Sequence, residues 1–176
     1  MAQVIPTPHI RPASSADTAA IREMLHEAAR WVDALGVVMW EQNELVPERI
    51  ATEVAAGQFV IADLSGEPAG ALRFQTTDLL FWPDIAQQDS AFVHRLVVSR
   101  RFKGQGVSTA LLRWAVDRSR ELGKGCLRLD CDASRPKLRA LYENFGFRLH
   151  SFRQVGPYYV SRYVYELTGD DAEHDS

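Results

Sequence analysis

The chain has 176 residues, 46% hydrophobic and 24% charged, with a formal net charge of −3, which fits one globular domain with a core of its own. No basic excess favours nucleic acid as a partner. No stretch approaches the ~20 apolar residues of a membrane span, and MAQVIPTPHIRPAS carries no apolar run behind a basic start, so it is not read as a signal peptide. Cys126 and Cys131 are too few for a disulfide framework or a zinc site and read as reduced thiols of a cytoplasmic protein.

Residues 1–8 read as an N-terminal extension, 9–168 as one domain and 169–176, GDDAEHDS, as an acidic flexible tail. A first strand is expected over His9–Ala13. Ser14, with Asp17 three residues on, opens a helix in the manner of a capping box, and Ile21, Met24, Leu25, Ala28, Val32 and Leu35 recur at helical spacing up to Gly36. A second helix is expected from Pro47 to Gly57. Phe59–Leu64 and Gly70–Gln75 form a hairpin about the turn Ser65-Gly66-Glu67-Pro68. A long connection over 76–90 holds Phe81, Trp82 and Pro83. A strand follows over Ala91–Ser99, then a helix from Gly106 to about Leu122, with Val107, Ala110, Leu111, Trp114 and Ala115 inward. Leu127–Cys131 is a strand, made parallel to its predecessor by the intervening helix. Pro136 starts the last helix and Gly146 ends it. Phe147–Val155 and Tyr158–Leu167 close the sheet as an antiparallel pair, giving an α/β domain with a mixed sheet.

The run His94–Ala115, HRLVVSRRFKGQGVSTALLRWA, takes an apolar strand through a basic, glycine-containing turn into a helix. Free amides at a helix start and the helix dipole there favour a pyrophosphate, and glycine lets the backbone approach it. Arg95, Arg100, Arg101 and Lys103 add local positive charge. An ATPase loop needs a lysine and a hydroxyl after its second glycine, where this chain has Val107 and Ser108. A dinucleotide fingerprint needs three spaced glycines after the first strand, and this turn has two, in mid-chain. What remains is Arg101-x-x-Gly104-x-Gly106.

That pattern resembles the acyl-coenzyme A pyrophosphate loop, Q/R-x-x-G-x-G/A, of the GNAT superfamily of N-acetyltransferases. The strand His94–Val98 before it and Ser108-Thr109-Ala110-Leu111-Leu112 after it supply the expected context. Ala140-Leu141-Tyr142-Glu143-Asn144-Phe145-Gly146-Phe147 is similar to the family's later helix, A-L-Y-E-x-x-G-F. The resemblance implies a bacterial-type single-domain member. Its sheet would be mixed, mostly antiparallel, of six to seven strands, splayed between the fourth and fifth, with about four helices. One departure is Arg135, where many members carry Asn seven residues before the tyrosine; Arg135 would reach a phosphate instead.

The activity implied is transfer of an acetyl or short acyl group from acetyl-coenzyme A, as cosubstrate, to a primary amine of a small molecule or peptide. No metal, nucleic acid or membrane is implied, and the state would be monomer or homodimer. The other reading is a non-catalytic acyl-coenzyme A-binding sensor or partner module. Arg101, Phe102, Lys103, Gly104, Gln105, Gly106, Val107 and Ser108 would hold the pyrophosphate. Leu96 and Val98, with Val97 between them, would offer backbone groups to the pantetheine. An amine of pKa ~10.4 must lose a proton before it attacks, and a thiolate of pKa ~8.5 must gain one. Tyr142 is the implied acid, although its spacing with Leu138 and Phe145 alone reads as core. His94 is the candidate base, with Asp130 orienting it or acting through water; the alternative is a hydrogen-bonded strand histidine. Trp40, Glu41 and Trp82 lie in connections and would line the acceptor side, or else cap the core and solvate a loop.

Overall fold

The computed structural model describes residues 4–36, 40 and 42–167. Its elements are β1 (His9–Pro12), α1 (Thr18–Asp33), α2 (Pro47–Ala55), β2 (Phe59–Leu64), β3 (Glu67–Gln75), β4 (Ser90–Val98), α3 (Val107–Glu121), β5 (Cys126–Asp132), α4 (Pro136–Phe145), β6 (Arg148–Val155) and β7 (Tyr158–Glu166). The strands form one mixed, mostly antiparallel sheet in the order β1-β2-β3-β4-β5-β7-β6. Every expected strand and helix is present, with ends shifted by a few residues. The largest shift is at α1. The expected capping box of Ser14 and Asp17 is present, with the Ser14 N–H on Asp17 at 2.8 Å, and Arg11 Nη1 also lies 2.8 Å from Asp17. The box opens a short 3-10 turn over Ser15–Asp17 that leads into the helix.

The chain divides into two compact units, Met1–Arg73 with Arg95–Trp114, and Phe74–His94 with Ala115–Ser176. In the first, the apolar stripe of α1 (Ile21, Met24, Leu25) meets Leu45, Ile50, Val54, Phe59, Ile61, Ala71 and Val97. Burying such side chains is worth ~1.5–3 kcal/mol each. Gly70 on β3 has no room for a side chain. A Cβ there would lie 2.7 Å from Val107 Cγ1 and 2.8 Å from the Val97 carbonyl oxygen. This close approach packs the first turn of α3 directly over β3 and β4. In the second unit Trp82, Phe92, Cys126 and Val164 form a core cluster with Phe81 and Ile85 against it.

Strand β4 belongs to both units, and its conformation changes where they divide. Ser90–Val93 pair in parallel with Cys126–Leu129 of β5. From Cys126 to Asp132, β5 pairs antiparallel with β7, so the fourth and fifth strands share only the first part of their lengths. Immediately past the pairing, Arg95 takes a left-handed backbone, φ 51°. That conformation costs a non-glycine residue ~1–3 kcal/mol and persists only where the surroundings impose it. Here the imposing contact is Arg95 Nη1 to Glu53 Oε2 at 2.7 Å, with both side chains more than nine-tenths buried. Glu53, on α2, also meets Arg49 and Arg73, each at 3.3 Å. Removing one partner of a buried pair strands the other charge. Glu53→Ala is expected to lower the free energy of unfolding in urea by about 3–5 kcal/mol; a loss below about 1 kcal/mol would show that Glu53 does not hold the β4 distortion.

Candidate active site

The turn after β4 is built from the main chain. The Ser99 N–H donates to the Ala69 carbonyl at 2.8 Å, and Phe102 and Lys103 donate back to Ser99 and Arg100. Phe102 is buried and anchors the turn. Gly104 (φ 76°) and Gly106 (φ 80°) then swing the chain into α3, and a Cβ at either would face open space. The first main-chain bond of the helix runs from the Ala110 N–H to the Gly106 carbonyl at 3.0 Å. Among the described residues the N–H groups from Gly104 to Thr109 have no main-chain acceptor. The turn thus presents a run of donors at the positive end of a 15-residue helix, which suits an anion. Phe102 and Lys103 are the exceptions in the expected set, because their N–H groups are already used.

The basic residues do not gather at this turn. Arg95 is buried on Glu53. The Arg100 guanidinium lies 4.5 Å from the centre of the Trp31 ring. Arg101 pairs with Glu67 at 2.8 Å, both largely exposed. Leu96 and Val98 are half-buried and Val97 is buried in the core. All three follow the last residue of β4 that pairs with β5.

A second assembly stands at the end of that pairing. His94 Nε2 lies 3.1 Å from Asp78 Oδ2. Polar atoms of Asp78, His94 and Asp130 lie within 4.8 Å of one another. Asp130, on β5, reaches solvent in part, but its Oδ2 is shut away with no hydrogen-bond partner among the described residues. Burial pushes its carboxyl up to about 7; His94 and Arg162 oppose the rise and Asp78 adds to it. Burial also works to raise Asp78, yet His94 and the N–H groups of Phe81 and Leu80 hold its carboxyl below the usual range. Two neighbouring carboxyls are thereby driven apart in acidity, one ionised and one able to take a proton near neutrality. Sequence reasoning did not single out Asp78. It lies in the long connection before β4, and only its place at the head of a turn hints at a role.

Tyr142 on α4 is 5% exposed. Burial, with Cys131 and Asp130 adding to it and Arg135 opposing, pushes its phenol well above the ordinary value. The hydroxyl keeps its proton and is a donor. Its ring stands edge-on to Phe147, with centroids 6.0 Å apart. Arg135 begins the turn into α4, its N–H on the Asp132 carbonyl at 3.2 Å. Cys131 is pushed up to about 11 by burial, against a hydrogen bond with Ser161, so it is a thiol.

Three residues were expected on the acceptor side. Trp82 departs from that expectation. Its ring is fully buried, with Arg162 4.5 Å and Arg128 4.8 Å from its centre. Arg162 is locked by Asp84 at 2.7 and 3.0 Å. Internal guanidiniums already occupy the ring, so it has no face for a substrate amine. Trp40 is partly buried and packs against the first core cluster. Glu41 lies outside the described residues.

A family model described as the Acetyltransferase (GNAT) family matches residues 18–147, most of the chain. The chain belongs to that family. A relative from Bacillus subtilis (strain 168), the uncharacterised N-acetyltransferase YesJ, is 28% identical over 143 residues, 77% of this chain and 79% of its own length. Among solved structures, a GNAT-family acetyltransferase from Listeria monocytogenes has a TM-score of 0.74 and 24% identity, covering 91% of this chain and 95% of its own. YncA from Salmonella typhimurium, solved with acetyl-CoA, has a TM-score of 0.71 and 18% identity over 97% and 99% of the two chains. PaiA from Thermoplasma acidophilum, in complex with coenzyme A, gives 0.71 and 18% over 90% and 99%. These likenesses show the GNAT fold. In this GNAT chain the matched span contains the amide-rich turn, His94, Asp78, Asp130 and Tyr142 alike.

The raised acidity constant of Asp130 makes a pH-dependent stability. Its folded value, about 7, exceeds the ordinary 3.8. The folded state therefore binds that proton more tightly. The carboxyl favours folding at low pH, and the favour is lost as pH rises to about 7, above which the buried anion is a full liability. Asp130→Asn is expected to be more stable than the parent above pH 7, by roughly 1–3 kcal/mol, and to melt at a higher temperature there. The gain should shrink to nothing near pH 4. Thermal melts of both proteins across that range test it; parallel curves would mean the carboxyl is solvated.

Proposed function

We propose that this GNAT chain transfers an acetyl or short acyl group from acetyl-CoA to a primary amine of a small molecule or peptide. The observation that carries the reading is the run of N–H groups from Gly104 to Thr109 at the start of α3, which have no main-chain acceptor among the described residues. In this reading the amides of Gln105 to Ser108 hold the pyrophosphate, with Arg101 and Lys103 adding charge and Arg135 a further cation. Backbone groups of Leu96 and Val98, which β5 leaves unpaired, align the pantetheine. The acetyl-CoA and coenzyme A complexes of YncA and PaiA support the choice of cosubstrate. The two free, buried cysteines suit a reducing, cytoplasmic setting.

The acceptor arrives as an ammonium ion and loses two protons in all, one before it attacks and one from the nitrogen after the C–N bond forms. His94 takes the first, directly or through water, and Asp130 is the neighbouring carboxyl able to receive it near neutral pH. The amine nitrogen attacks the thioester carbonyl, a C–N bond forms, the C–S bond breaks, and the electron pair leaves on sulfur. Tyr142 donates its hydroxyl hydrogen toward that sulfur, the proton shed by the new C–N nitrogen restores the phenol, and the products are the free thiol and the amide.

Gly104→Asp would set a negative side chain at the amide run. It is expected to weaken acetyl-CoA binding about tenfold or more by calorimetry while circular dichroism stays that of the parent. Tyr142→Phe should bind acetyl-CoA as the parent does but release thiol with a panel of primary amines about a hundredfold more slowly. Unchanged affinity in Gly104→Asp would remove the cosubstrate from this turn. Binding without amine-dependent thiol release in the parent would favour a non-catalytic acyl-CoA-binding module.

A further inference from the structure

We infer that Asp78 is a positioning residue for His94: it holds the Nε2 edge of the imidazole, leaving Nδ1 as the nitrogen that takes the acceptor's proton. The inference rests on the acetyl-transfer reading for what that proton is, but the Asp78–His94 pairing can be read without it.

Asp78 is fixed at both ends before it meets His94. Its Oδ1 accepts the N–H groups of Leu80 at 3.1 Å and Phe81 at 2.9 Å. Its own N–H donates to Gln87 Oε1 at 2.7 Å, and Gln87 Nε2 donates in turn to the Trp82 carbonyl at 2.7 Å. Trp82 is itself immobilised in the core. The connection between β3 and β4 is therefore a rigid bracket. It leaves one carboxylate oxygen, Oδ2, pointing at the imidazole.

That oxygen accepts no hydrogen bond among the described residues. It lies 3.1 Å from Nε2, at ion-pair distance but not lined up as a straight hydrogen bond. Catalytic contacts of this kind commonly tighten when the reactants are in place. The Asp78 side chain is 5% exposed, so water competes weakly for it. A carboxylate in this position selects the ring tautomer with hydrogen on Nε2 and stabilises the imidazolium formed when Nδ1 accepts a proton. The Phe81 ring, 6.3 Å from the imidazole centroid, limits how the ring can tilt.

The charged groups around His94 are Asp78 from the connection, Asp130 from β5 and, acting on Asp130, Arg162 from β7. Arg162 is committed to Asp84. Asp130 carries little charge below about pH 7, because burial holds its proton. Asp78 is the carboxyl held below the usual range, by His94 and the Phe81 and Leu80 N–H groups.

Asp78 also closes a turn, and the test must separate that role from the electrostatic one. Asp78→Asn keeps an oxygen for the Leu80 and Phe81 N–H groups and removes the charge. Histidine-ring proton–nitrogen correlation spectra of the full chain, with His94→Gln assigning the resonances, require no acceptor. In the parent, neutral His94 is expected to carry its hydrogen on Nε2. In Asp78→Asn the titration midpoint of His94 should fall by roughly half to one pH unit relative to the parent. Asp78→Glu should recover part of that shift, which a turn-closing role would not produce. With an amine that the parent acetylates, the acid limb of kcat/KM should move down by the same amount, with KM for acetyl-CoA unchanged.

A midpoint unchanged in Asp78→Asn, or neutral His94 with its hydrogen on Nδ1 in the parent, would overturn the inference. Should Asp78→Asn fail to fold, the parent's tautomer and the Asp78→Glu midpoint decide it. Failure of acetyl transfer shows separately, as absent thiol release with the His94 signature intact.

Discussion

Strand β4 must pair with β5 and then stop pairing, and a strand does not abandon hydrogen bonds without a cause. The cause is Arg95. Its left-handed backbone turns the chain out of register immediately after Val93, the last residue with a β5 partner. An arginine adopts this conformation only when something stronger compels it. The buried contact with Glu53 on α2 does so. One carboxylate, approached by three guanidiniums, thus decides where β4 leaves its neighbour.

The same strand leads to the amide-rich turn, and the packing at Gly70 shows how little freedom that turn has. Val97 and Val107 approach the Gly70 Cα so closely that even a methyl group is excluded. The first turn of α3 is therefore seated on β3 by steric contact, and the donors ahead of it inherit a fixed direction. A helix start can favour an anion only if its N–H groups are kept from other acceptors, and the tight glycine turns at 104 and 106 keep them so. Preorganised donors need not reorganise when the ligand arrives, which is what makes such a site bind.

The fold and the turn were largely legible along the chain. Helical and strand periodicities placed every element, because each buries one apolar face and its spacing records which. The glycine turn was legible because its chemistry is local: the residues that create it are within six positions of one another. Trp82 misled for the opposite reason. An aromatic in a loop looks like a ligand wall until the arginines on β5 and β7, far away in sequence, are found against its ring. Asp78 and Glu53 escaped notice likewise. Neither sits in a motif, and each matters only through a partner 16 or 42 positions away.

By itself, then, the amino-acid order determined the elements, their alternation and the anion-friendly turn, since these depend on neighbours a few residues apart. Tertiary structure alone decided which carboxyls are charged, where β4 breaks away and which aromatic rings are already occupied. Charge state and backbone strain depend on how much water is excluded and on which distant group fills the space, and neither quantity is written in local spacing.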